Sequence, residues 1–297
     1  MKFFILIVKG FFLGLSMVLP GVSGGTLAFI MGIYEKLIQE ISLFKSSHIR
    51  NILKCFSFNK KQIHFHFSKL QNTWDWSFLI PLMFGVLSAP IGFILFTLEW
   101  IEKNNFIFYS LICGLVLASM ISPFKQMKKS LQTFLFFFVS LIFNLAIFFY
   151  GKEFFILSKE IPSFLFFPIG FIVSIAFLVP GLSGSYLLLI LGLYEKTLLA
   201  FKNLDFFIIG FFLLGGISGF ILSAKGIQKL LQNYWNQSLA CILGLILGSL
   251  YSLYPLKTHP FIWDREQKLF LFYMTVGFLL FLLFHFYLGK KNKKTLS

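Results

Sequence analysis

A proline-glycine patch followed by small hydroxyl residues occurs twice in this chain, and its residue types are those that can hold an anion. The first copy reads PGVSGGTLAFIMGIYEK over residues 20–36 and the second PGLSGSYLLLILGLYEK over 180–196. Ten of the 17 positions are identical at a fixed offset of 160. Proline withholds a backbone donor and glycine tolerates positive φ, so Pro-Gly ends a helix. Ser23 or Ser183 is then placed to cap the helix that follows. Amides and hydroxyls of Gly21, Ser23, Gly24, Gly25 and Thr26 could meet a phosphate from one side. Gly181, Ser183, Gly184, Ser185 and Tyr186 could meet it from the other. Glu35-Lys36 and Glu195-Lys196 close the two copies. The lysines would attract the anion, and the glutamates could hold them or accept a coupling proton or cation.

Other chemistry is weaker. His64 and His66 form an H-x-H in a hydrophilic stretch, read as a solvated loop rather than a metal site. Cys55, Cys113 and Cys241 have no spacing that suggests a disulfide framework or a metal site, and no cofactor is implied. Lys9, Glu99, Asn144 and His285 lie in or near apolar runs and read as interfacial or interhelical contacts. No His or carboxylate cluster faces the motif, and Arg50 and Arg265 fall in loops, so no catalytic constellation is expected.

The elements that must position these residues are membrane helices. The chain is 58% hydrophobic with a mean hydropathy of +0.85, and only 12% of residues are charged. A soluble domain averages about 25% charged residues, so the solvent for most of this chain is lipid. The apolar runs are long and apolar on all sides, which favours helices over barrel strands. The net charge of +15 then reads as basic cytoplasmic loops, with no nucleic-acid partner. The N-terminal run to Pro20 could pass for a signal peptide, but its recurrence in mid-chain argues that it is kept.

The duplication continues downstream at an offset of 130, pairing Asp75 with Asp205, Gly85 with Gly215, Ser88 with Ser218, Gly114 with Gly244 and Ser119 with Ser249. The change of offset is a basic, hydrophilic insertion over residues 45–74, expected to lie on anionic headgroups. Residues 1–155 form the first repeat and 156–297 the second. Each half has five apolar segments, the second of which covers 26–44 and 185–201 respectively. If the first two are a re-entrant pair, three spans remain. Either number is odd, so the second half enters the membrane from the opposite side. With the N-terminus in the cytoplasm, 16 basic residues fall on that side and seven on the other, so both termini are placed in the cytoplasm. The fold class is an all-α polytopic membrane protein of two inverted-topology repeats. Each repeat has a broken or re-entrant helix pair followed by about three transmembrane helices.

A broken helix at membrane depth is tolerated only where it is buried in protein or lines a wet cavity, the arrangement of inverted-repeat transporters. A continuous helix from Thr26 to Lys36 would be about 15 Å long, half a hydrocarbon core of about 30 Å. It would deliver Glu35-Lys36 either to an interface or to the membrane centre.

The doubled PGVSGGT…GIYEK and PGLSGSY…LGLYEK resemble the polyprenyl-phosphate transporters, PopT, a bacterial family once catalogued as a domain of unknown function. The resemblance covers nearly the whole chain. It implies a flippase of the bacterial cytoplasmic membrane that returns undecaprenyl phosphate from the outer to the inner leaflet, recycling the lipid carrier of wall and surface polysaccharides. It also implies a fold with opposed re-entrant helices. Its partners would be that lipid, the membrane and a coupling proton or cation. The second copy departs from the first at Ser185-Tyr186, where the first has Gly25-Thr26, so the half-sites are not equivalent. A membrane-embedded polyprenyl diphosphate phosphatase and a small-anion transporter are the competing readings.

Overall fold

The computed structural model describes residues 2–18, 22–45, 73–96, 105–154, 161–254 and 265–294. All regular structure among them is helical. The first half contributes α1 (Lys2–Val18), α2 (Gly24–Ile30), α3 (Tyr34–Ser42), α4 (Trp76–Phe96), α5 (Asn105–Ser119), α6 (Ile121–Gln126) and α7 (Leu131–Phe154). A 3-10 turn, Ser163–Leu165, opens the second half. There follow α8 (Phe166–Leu178), α9 (Gly184–Ile190), α10 (Tyr194–Lys202), α11 (Phe206–Asn233), α12 (Trp235–Leu253) and α13 (Arg265–Lys294). Most of the 45–74 insertion, the H-x-H pair, Cys55, Glu99, Pro20 and Gly21 lie outside the described residues, as does the side chain of His285.

Each half has a long helix, then a serine-capped helix of seven residues and a second break, and in the second half the long helix stops just before the Pro180-Gly181 step. Ser23 accepts from the Thr26 amide at 3.3 Å and Ser183 from the Tyr186 amide at 3.4 Å, as expected of caps. The second break was not expected. Gly32 (φ +66) and Gly192 (φ +71) sit in the left-handed region. Their amides donate to Phe29 O and Leu189 O, and the next amides, of Ile33 and Leu193, reach back to Ala28 O and Leu188 O. This doubled bond pattern is a Schellman stop, and the residues at its two ends, Ile33 and Ala28 in one copy and Leu193 and Leu188 in the other, are all buried. The continuous segments 26–44 and 185–201, and the 15 Å helix from Thr26 to Lys36, are therefore corrected to two short helices each. α9 and α10 are bent by 111°.

Small residues set the packing. A Cβ on Gly10 would lie 2.1 Å from Leu82 O, and one on Gly85 2.1 Å from Ile7 O, so α1 and α4 meet backbone to backbone. α8 and α11 meet the same way, at Gly170, Gly215 and Gly219. In both pairs the contact runs forward along both helices, so they are parallel. The chain between α1 and α4, and between α8 and α11, returns to the side from which it set out. The remaining tight pairs cross between halves. Gly114 of α5 lies against Met274 and Phe278 of α13, and Gly244 of α12 against Phe137 and Leu141 of α7. The penultimate long helix of each half thus embraces the last helix of the other. Exchanging the halves maps this contact pattern onto itself. Local bonds repeat too: Ser88 and Ser218 each donate to a glycine carbonyl three residues back at 2.8 Å.

Among the described residues, four helical segments are long and apolar enough to cross a membrane, or five if the bent pair in the second half counts as one. The apolar faces of α4, α7 and α11 carry exposed Phe84, Leu87, Phe138, Val139, Phe206 and Phe207, which are lipid-facing positions.

Gly85→Ala is expected to lower thermal stability in detergent by roughly 1–3 kcal/mol, the range for overpacking. Gly210→Ala, whose Cβ would meet nothing within 4 Å, is expected to be neutral or stabilising by up to about 1 kcal/mol through helix propensity. Melting curves of the two variants check the contrast.

Candidate functional site

The structure brings the two motif turns into contact at the heart of the molecule. The Gly181 amide donates to Thr26 Oγ1 at 2.7 Å, and Ser23 Oγ reaches Val179 O at 3.5 Å. A Cβ on Gly25 would lie 2.7 Å from Leu178 O and 2.9 Å from Pro180 N. Only glycine permits that approach. Thr26 is 4% exposed, and Ser23, Ser183 and Pro180 are buried. The broken ends of one half are therefore completed by the other, as backbone freed inside a membrane requires.

A third element holds the joint. Asn144 of α7, fully buried, donates through Nδ2 to Gly181 O and Leu245 O, both at 2.9 Å. Gly181, at φ +88, has no room for a Cβ against Leu245 and Ile246. The Gly181 peptide is thus gripped on its amide side by α2 and on its carbonyl side by α7. Asn144 Oδ1 is left buried without a partner among the described residues. The interhelical role expected of Asn144 is what it has, and so is that of Lys9, whose ammonium donates to Met31 O at 2.6 Å at the C-terminus of α2.

The copies differ in what they offer. Ser183 and Ser185 share a hydroxyl-hydroxyl bond at 3.0 Å, and the Tyr186 hydroxyl donates to Phe148 O at 3.5 Å. Ser183 and Tyr186 line a cavity of about 210 Å³ between α7, α8 and α9. On the first-copy side the space between the turns is filled by protein, so a phosphate held between them requires the halves to part.

The charged pairs sit one break away from the turns. Glu35 and Glu195 are exposed, in the first turns of α3 and α10. Lys36 forms an ion pair with Asp75 and lies 4.8 Å from the Phe78 ring centre. Lys196 instead donates to Ile161 O at 3.2 Å. Asp75 and Asp205 each accept amides opening the next helix, so both are caps. Glu40, which sequence reading passed over, is buried. Its Oε2 accepts from the Asp75 amide at 3.0 Å and its carbonyl from Trp74 Nε1 at 3.0 Å. Lys36, together with Ser77, holds the Asp75 carboxyl down at about 2. No group of three His, Cys, Asp or Glu that could hold a metal occurs among the described residues.

The sequence is similar to those of known proteins. The sequence model of a family described as undecaprenyl phosphate translocase-like matches residues 13–269. A polyprenyl-phosphate transporter of Vibrio cholerae serotype O1 is 30% identical over 257 residues, covering 84% of this chain and 77% of that protein. A polyprenyl-phosphate transporter of Staphylococcus aureus is 33% identical over 114 residues, covering 35% of this chain and 38% of that protein. No solved structure matches the chain.

Thr26→Val, which leaves the Gly181 amide buried without an acceptor, is expected to cost roughly 1–3 kcal/mol. Thr26→Ser, which keeps the acceptor, is expected to recover most of that in the same melting assay. Asp75 gives a pH signature. Its folded value lies below its ordinary 3.8, so its contribution is full above that value and is lost as pH falls through about 2. Asp75→Asn is expected to melt below wild type at neutral pH, and the gap to close toward pH 2.

Proposed function

We propose that this chain, which belongs to the undecaprenyl phosphate translocase-like family, returns undecaprenyl phosphate from the outer to the inner leaflet of the bacterial cytoplasmic membrane. The chain is a helical membrane protein of a family with polyprenyl-phosphate transporters among its relatives. The observation that carries the mechanism is the contact between the two broken-helix turns, Thr26 to Gly181 and Gly25 to Pro180. Two of the breaks in regular backbone, one from each half, meet in the buried interior of the described molecule. A path for a charged headgroup is needed at that depth, because an ion in hydrocarbon is expensive.

The halves are of opposite orientation in this reading. α7 and α12 run parallel, as Phe136 beside Cys241 and Asn144 beside Gly248 require. α7 follows α4 and α5 in an alternating path, and α12 follows α11. α12 pointing the way of α7 therefore sets α8 and α11 against α1 and α4, which supports the inversion. Both termini lie in the cytoplasm, where the basic residues gather.

When the halves part, the phosphate is held by the amides and hydroxyls of Gly21, Ser23, Gly24, Gly25 and Thr26 and of Gly181, Ser183, Gly184, Ser185 and Tyr186, while the isoprenoid tail stays in lipid. Lys36 and Lys196 draw the anion in, and Glu35 and Glu195 accept a coupling proton. Rocking of one half against the other exposes the turns to alternate sides.

Transbilayer movement of labelled undecaprenyl phosphate in proteoliposomes tests this. Movement by wild type that Ser23→Ala/Ser183→Ala loses is expected; movement that the pair leaves unchanged removes the turns as the site. Phosphate release from a diphosphate lipid, or anion flux without any polyprenyl lipid, would replace lipid transport by the phosphatase or small-anion reading. Glu35→Gln/Glu195→Gln is expected to flatten the pH dependence of the rate, and an unaltered profile would remove proton coupling through these carboxylates.

A further inference from the structure

Two cavities that the turns do not account for meet at one side chain. The first, about 510 Å³, lies between α7, α11 and α12 and ends on Val179 and Pro180, the first residues of the second turn. Its walls are mainly apolar, including Phe136, Ile227, Leu230 and Ile242. The second, about 470 Å³, lies between the α2–α3 break, α5, α6 and the start of α12. It is the more polar, with Glu35, Lys36, Ser122 and Gln126 in its walls. Both volumes are those of ligand sites, which run from about 300 to 1,000 Å³.

Tyr34 lines both cavities. It is 3% exposed, yet its hydroxyl has no hydrogen-bond partner among the described residues. Asn144 Oδ1 is the one sealed, unpartnered side-chain atom among the described residues, so the unbonded Tyr34 hydroxyl keeps access to cavity space and is free to donate to an occupant. The ring is held in place: Phe29 meets it edge-on at 5.9 Å between centroids, and the stop at Gly32 fixes the backbone just before it. The same position in the second copy, Tyr194, is only half-buried, so the repeat itself does not demand a buried phenol.

Resting on the lipid-transport reading above, we propose that the two cavities are one lipid site divided by Tyr34. The headgroup phosphate lies in the polar cavity beside Lys36, Ser122 and Gln126, and the Tyr34 hydroxyl donates to one of its oxygens. The first isoprene units lie in the apolar cavity against Pro180. An amphiphile is the occupant because neither part alone explains the pair. A free phosphate leaves the larger apolar cavity without a role, and an uncharged prenyl chain leaves the Tyr34 hydroxyl and the polar cavity unmet. Glu35 and Lys36 are the charged groups in the polar wall, and Lys36 already pairs with Asp75, so an arriving phosphate exchanges with Asp75 for that ammonium. The tail would then rest against the turn through which the headgroup must pass.

Binding by the purified full chain in nanodiscs tests the site, with undecaprenyl phosphate, undecaprenol and inorganic phosphate as the three probes. Tyr34→Phe keeps the ring and removes the donor. It is expected to weaken undecaprenyl phosphate binding about tenfold, the worth of one hydrogen bond to a charged group, and to leave undecaprenol unchanged. Cys241→Phe, which fills part of the apolar cavity, is expected to weaken both lipids. Melting curves establish that each variant is folded. Undecaprenyl phosphate binding that neither variant alters overturns this site while leaving the transport reading intact. Wild type that is folded and binds no undecaprenyl phosphate overturns the transport reading itself. Inorganic phosphate bound as tightly as the lipid, with the same loss in Tyr34→Phe, makes the polar cavity a small-anion site and overturns the lipid assignment.

Discussion

A backbone that breaks inside a membrane must find partners for the groups it frees, and in this protein the second half finds them in side chains of the first. The Pro-Gly step at 180–181 turns the chain where water cannot reach, and the exposed amide of Gly181 is taken by Thr26 from the first half. The carbonyl of the same residue is taken by Asn144. Nothing within the second copy supplies either bond. The centre of the fold is therefore an obligate joint between halves, with one acceptor, Asn144 Oδ1, left over. A joint with incomplete bonding is cheaper to rearrange than a fully bonded one, as the proposed passage of a charged headgroup would require.

The rest of the architecture follows from holding that joint. Glycine-to-backbone contact at Gly10, Gly85, Gly170 and Gly215 locks α1 to α4 and α8 to α11, making each half a rigid block around its broken pair. The crossed contacts at Gly114 and Gly244 then bind each block to the last helix of the other. Motion between halves consequently has to carry α7 and α13 along. Asn144 is on α7 and reaches the second turn, so movement of that helix is felt at Gly181 directly. The two copies are similar in outline and unequal in detail. Lys36 is engaged by Asp75, whereas Lys196 turns to the Ile161 carbonyl. Thr26 completes the opposing turn, whereas Tyr186 reaches α7. The two half-sites are therefore not equivalent in their bonding.

Much of this was legible in the chain. Alternation of long apolar runs with basic loops determined a helical membrane protein, because hydropathy and charge are local properties that lipid reads directly. Pro-Gly-x-Ser determined where helices stop and restart, because φ restriction and capping act within a few residues. The repeated GIYEK and GLYEK also carried the second break, since Gly32 and Gly192 stand at the C′ position of both short helices. That signal was present and masked by the apolar residues around it, which favoured one continuous segment.

Tertiary structure alone decided which distant groups meet. Asn144 lies 37 residues from Gly181 and Thr26 lies 155 from it, and no spacing rule connects them. Glu40 became a buried partner of the Asp75 amide only because α3 and the start of α4 come together. Tyr34 reads as part of the repeated Tyr-Glu-Lys end of the motif, and its place between a polar and an apolar cavity depends on α5, α6, α11 and α12 closing around it. The physical reason is common to all three. Propensity, capping and hydropathy are settled by neighbours in sequence, whereas the partner of a freed polar group is settled by which helices pack, and at Gly181 the partners come from the opposite half.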